Sequence, residues 1–186
     1  MIISEQLAIA RQYHQAGNIT DAQSIYDEIL ETEPENDQVL YLKSLILYHS
    51  GKVNESIILL NKAISISPLP EYYNLLGNSY SVKKDFTNAI NSYNKSLELD
   101  LNNFMAHYAL GLLYEQNNAL NEAIKSLLKT IESKPDFADA YFTLGRAYFK
   151  KQESLKSAQM LLKAGKLDPK YIKPNSSLGN IYKSII

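Results

Sequence analysis

The chain has 186 residues, 45% hydrophobic and 21% charged, a balance that supports a folded chain over a disordered one. A formal charge of −1 and a pI near 6.3 give no overall pull toward nucleic acid or a membrane, so partners must be chosen by local surface. The absence of cysteine excludes disulfides, thiol nucleophiles and thiolate metal sites, and it fits a cytoplasmic setting.

In chain order, the opening MIISEQLAIARQYHQ is too short an apolar run, and carries Glu5 and Arg11 too early, for a signal peptide. No apolar run of about 18 residues follows, so no membrane insertion is expected. Helical periodicity places helices near 3–16 and 20–32, then 37–50 and 53–66, then 71–83 and 86–99. It continues with 104–117 and 120–133, then 138–151 and 154–167, and a last helix near 174–185. Pro34, Pro68, Pro135 and Pro169 close the second helix of a pair, because proline lacks the amide that a further turn would use. Two irregularities stand out. The link from Pro68 to Gly77 is one residue shorter than that from Pro34 to Ser44, so it should be tightened. In the fifth unit Leu155 and Ala158 sit one residue out of register with Ala164 and Pro169, which predicts a longer turn there.

The pairs are copies of one unit. Gly77, Gly111, Gly145 and Gly179 recur at a constant interval of 34, and Leu76, Leu110, Leu144 and Leu178 keep the same step, as do Tyr80, Tyr114, Tyr148 and Tyr182. The small residue lets a second helix approach closely, and that helix answers with Ala22, Ala89 or Ala123, or with Ser56 in the second unit. Tyr26 and Tyr93 fill the seam. At Tyr73-x2-Leu76-Gly77-x2-Tyr80, followed by Ala89-x3-Tyr93, the sequence resembles the tetratricopeptide repeat, and looser matches extend over nearly the whole chain. The resemblance implies an all-α, right-handed superhelical solenoid of antiparallel helix pairs. The repeats fall at about 3–36, 37–69, 70–103, 104–137 and 138–171, with a half-repeat or capping helix over 172–186.

In this family partners usually bind along the concave wall lined by first helices, at positions two, five, nine, twelve and thirteen of the motif. Those positions include Arg11, His14 and Gln15, then Tyr41, Leu45 and Tyr48, then Glu71, Asn74 and Asn78, then Tyr108, Leu112, Glu115 and Gln116, and finally Phe142, Arg146 and Phe149. Rings bury large area at small entropic cost, and an Asn amide can pair both a peptide donor and a peptide acceptor, so an extended peptide is the ligand this chemistry suits. Asn74 and Asn78 are the expected backbone contacts, and Tyr41, Tyr48, Tyr108, Phe142 and Phe149 the expected side-chain pockets. The alternative is that Tyr41 and Tyr108 only pack on neighbouring repeats and that both asparagines are solvated. The cations that chaperone-binding members use to grip a terminal carboxylate are missing, with Asp139 placed to repel it, and the asparagine ladder of sugar-transferase arrays is absent.

No HExxH, phosphate-cradling glycine loop or nucleophile elbow occurs. His14, His49 and His107 lie in separate units, and the Asp and Glu residues show no carboxylate pairing that the array would bring together for acid–base chemistry. No catalytic residue, metal ligand or cofactor is therefore expected. The function indicated is a non-catalytic scaffold for a protein or peptide partner, with no nucleic acid involved. The alternative is the substrate-presenting arm of a larger bacterial enzyme such as a glycosyltransferase or methyltransferase. The first unit is acidic and the last basic, which admits head-to-tail self-association between copies.

Overall fold

The structure, a computed structural model, describes residues 3–172, and the expected helix at 174–185 lies outside them. The described residues form ten α-helices, a closing 3₁₀ turn and no strand. They fall into two compact units divided between Leu99 and Asp100. The first contains α1 (Ile3–Gln15), α2 (Ile19–Thr32), α3 (Asp37–His49), α4 (Val53–Ile66), α5 (Pro70–Val82) and α6 (Phe86–Leu99). The second contains α7 (Phe104–Gln116), α8 (Leu120–Ser133), α9 (Ala138–Lys150), α10 (Ser154–Leu167) and the turn Pro169–Ile172.

Within each pair the small-residue periodicity is a packing rule. The eighth residue of each first helix is small (Ala10, Ser44, Gly77, Gly111, Gly145), and each glycine meets the eighth residue of the second helix, Tyr93, Leu127 or Leu161. A β-carbon on Gly77 would lie 2.5 Å from the Tyr93 ring, and one on Gly111 2.6 Å from Leu127, so these sites accept no side chain without a shift. The fourth residue of every second helix, Ala22, Ser56, Ala89, Ala123 and Ser157, is fully buried. Where it is serine, its hydroxyl donates to the carbonyl of the facing eighth residue, Ser56 to Ser44 and Ser157 to Gly145, both at 2.8 Å. The buried hydroxyl is thereby satisfied, and serine costs little in place of alanine.

The turn inside each pair has one form. The backbone N–H of Asn18, Lys52, Asp85, Ala119 and Glu153 reaches five residues back to a carbonyl in the first helix, a Schellman closure. The residue before it takes a positive φ; Gly17 and Gly51 suit this, while Lys84, Asn118 and Gln152 adopt it with a side chain. This corrects the expectation of a longer turn in the fifth unit. Lys151, Gln152 and Glu153 span the gap as their counterparts do, and the small residue is Ser157, one place before Ala158, so the register never slips. The tightened link is present, since three residues join α4 to α5 where four join α2 to α3. Pro70 opens α5 at a position whose amide has no helical partner.

Candidate interaction surface

In the first unit, the open faces of α1 and α3 and the start of α5 enclose a cleft of about 500 Å³. Its lining includes Arg11, Tyr41 and Leu45 together with His14, Gln15 and Glu71, all at the groove positions of the motif. Gln38, Leu42, Leu69 and Tyr72 complete it. Gln38 occupies position two of its helix and was readable from the same rule, whereas Leu69 and Tyr72 arrive from the tightened link and the start of the next repeat. Arg11 and Glu71 are exposed, and Arg11 donates to the Gln38 side chain at 3.1 Å. The cleft thus combines an apolar wall with one arginine, one carboxylate, two amide side chains and an imidazole. Tyr48, Asn74 and Asn78 are half-buried outside this lining. Tyr48 packs edge-on to His49, and Asn78 accepts the Tyr93 hydroxyl at 2.7 Å, which leaves its NH₂ as the donor still to be used.

A second pattern concerns the fifth residue of three first helices, α3, α7 and α9. Tyr41 stacks on Tyr72 at 4.7 Å, Tyr108 meets Phe137 edge-on at 4.8 Å, and Phe142 stacks on Tyr171 at 4.6 Å. In each case a ring from the segment that opens the following repeat covers it, so these aromatics are partly used in holding repeats together. Two covering tyrosines are anchored by carboxylates, Tyr72 donating to Asp37 at 2.8 Å and Tyr171 to Asp139. Burial first, and then the bonded carboxylate, push the Tyr171 phenol up to about 12 and raise Tyr72 in the same direction, so both remain donors at neutral pH. Burial, reinforced by Glu71, likewise raises Tyr41.

The second unit adds a buried charge cluster that was not expected from the sequence. Glu115, on α7, is only 1% exposed and is gripped from α9 by Arg146 at 3.0 Å and Lys150 at 2.7 Å. The Arg146 contact is a fork, one nitrogen reaching both carboxylate oxygens. Lys150 also donates to the Glu115 carbonyl at 3.2 Å. Arg146 is therefore committed to an internal bond. The signal was available: Glu at position twelve of one first helix, with Arg at nine and Lys at thirteen of the next, places opposite charges on neighbouring first helices. Asp139 likewise accepts Tyr171 and lies 3.5 Å from Lys170. Of the other expected residues in this unit, Leu112 is half-buried, while Gln116 and Phe149 are exposed. Among the described residues no helix is long and apolar enough to cross a membrane.

The ladder of paired helices with small residues at fixed positions defines a helical-repeat protein. Profiles of the tetratricopeptide repeat match residues 13–78 and 138–171, and a further profile of the TPR repeat matches 77–118 and 116–152. The chain belongs to the tetratricopeptide repeat family. A TPR repeat-containing protein of Methanocaldococcus jannaschii is 34% identical over 89 residues, which are 48% of this chain and 28% of that protein. The chain spans 28% or less of the length of the curated relatives it matches. Among solved structures, MamA aligns with a TM-score of 0.77 at 26% identity, over 87% of this chain and 95% of that one. YrrB, described as a TPR protein with an unusual peptide-binding site, aligns with a TM-score of 0.72 at 22% identity, over 96% of this chain and 90% of that one.

Proposed function

We propose that the chain is a non-catalytic interaction scaffold that takes an extended segment of a partner protein against the open faces of its first helices. The observation that carries this reading is the cleft of about 500 Å³ walled by Tyr41, Leu42, Leu45 and Tyr72. Its volume accommodates one or two side chains of a bound segment, and the apolar wall supplies the driving force for their burial. Arg11 and Glu71 make the cleft selective, favouring a segment that carries an acidic and a basic group around an apolar residue. Further along the first unit, the Asn78 NH₂ is a donor suited to a backbone carbonyl, and Asn74 lies one turn before it on the same helix. Leu112, Gln116 and Phe149 offer the corresponding surface in the second unit. YrrB, which shares the fold, is itself described as peptide-binding, and this supports the same class of ligand here.

Selection from a displayed library of random peptides tests the reading. Peptides with an apolar residue between charged ones should be enriched, and Leu45→Glu should abolish their binding while leaving the melting temperature within a few degrees of the parent. Asn74→Ala combined with Asn78→Ala should weaken capture. Peptides that bind the Leu45→Glu protein as tightly as the parent would remove the cleft as the site.

A further inference from the structure

The second helix of each repeat turns its third, tenth and thirteenth residues to solvent, and at these positions the first and last described repeats carry opposite signs. On α2 they are Asp21, Glu28 and Glu31, and on α10 they are Lys156, Lys163 and Lys166, all exposed. The intervening second helices do not repeat either pattern; α8, for example, mixes Glu122, Lys129 and Glu132. The contrast extends around each helix. From Gln12 to Leu42 the chain contains no lysine or arginine, and α10 contains no acid. Both helices have 14 residues, so the charges sit at identical heights, separated by ~10 Å and then ~5 Å along the axis, within an arc of about 80°.

We infer that α2 of one molecule docks beside α10 of a second copy of the chain, the two helices running parallel so that each acid faces a lysine. Complementarity at three matched heights distinguishes this from a merely solvated charge run, because a slip of one turn, or an antiparallel approach, leaves at least one pair unmatched. Prior commitments bear on which charges matter most. Lys156 is already bonded to Glu153 at 2.6 Å, whereas Lys166, Glu28 and Glu31 form no ion pair among the described residues, and Lys163 lies only over the Tyr141 ring at 5.9 Å. Asp27, beside Glu28, is taken by Lys43. The contact is heterologous, so a molecule whose α10 is occupied still presents its own α2. Because the pairs are exposed, each is weak and screened by salt, and the association is a property of high protein concentration and low ionic strength.

Sedimentation equilibrium of the full chain is the test. At about 20 mM salt the weight-average mass should rise with concentration above 21.1 kDa, and at about 300 mM the association constant should fall by roughly tenfold or more. Glu28→Lys with Glu31→Lys should abolish the rise, as should Lys163→Glu with Lys166→Glu. An equimolar mixture of the two variants should associate again, since each offers one native and one inverted face to the other. A mass fixed at 21.1 kDa in low salt, association that either variant retains, or a mixture that stays monomeric would each overturn the inference.

Discussion

Tyr26 and Tyr93 occupy the same place, the eighth residue of a second helix, with the ring laid against the small eighth residue of the first helix, yet their hydroxyls meet different fates. The Tyr93 hydroxyl donates to Asn78, while that of Tyr26 is buried without a hydrogen-bond partner among the described residues, because the position corresponding to Asn78 holds Arg11, which carries no acceptor. Burial raises both phenols above their ordinary value. A buried hydroxyl without a partner is a desolvation cost, whereas a bonded one contributes about 1 kcal/mol. Tyr26→Phe is therefore expected to be neutral or stabilising by up to about 1 kcal/mol, and Tyr93→Phe to destabilise by about 1 kcal/mol. Urea unfolding of the two variants side by side checks this, and equal losses would show that the Asn78 bond adds nothing.

At the scale of helices, the Glu115 cluster fastens α7 to α9 and is asymmetric in a testable way. Glu115 is buried, while the Arg146 and Lys150 side chains are 40% and 38% exposed. Removing the carboxylate lets both cations return to water; removing the cations strands a charge in the interior. Arg146→Ala with Lys150→Ala should cost about 3–5 kcal/mol, and Glu115→Gln clearly less, by the same unfolding measurement. Legibility from sequence divides along this line. The tightened link before Pro70 and helix ends to within a residue or so were readable, because each depends on local spacing: a small residue at position eight, a proline that stops a helix. The stacked pairs Tyr41 with Tyr72 and Phe142 with Tyr171, and the Glu115 clamp, depend on which residues from successive repeats meet across a helix face. Reading one repeat at a time shows an aromatic or a charge but not what covers it. The supposed slip in the fifth unit arose for the same reason, since Ala158 looks like the small residue until Ser157 is seen bonding the Gly145 carbonyl.

Across the whole chain, a charge of −1 conceals an acidic beginning and a basic end, and the three histidines are the side chains whose ordinary titration falls between pH 5.5 and 7.5. Of these, His14 couples its protonation to folding. It lies half-buried at the end of α1, edge-on to the Tyr26 ring at 6.4 Å, and burial first, with His49 second, pulls its pKa below the ordinary 6.5. A histidine whose folded pKa is lowered binds its proton more tightly when unfolded. The stability it permits is therefore fully present above pH 6.5 and is lost as pH falls through the window between that value and the lower folded one. The first unit, which contains His14 and the cleft, should thus be the acid-sensitive part of the molecule. Hydrogen exchange analysed as opening free energy at about pH 7.5 and about pH 5.5 should show a loss across α1 to α3 and little change in α7 to α9. His14→Gln should remove most of that loss, since glutamine carries no titrating group. Equal loss in both units, or an unchanged loss in the variant, would place the acid sensitivity elsewhere.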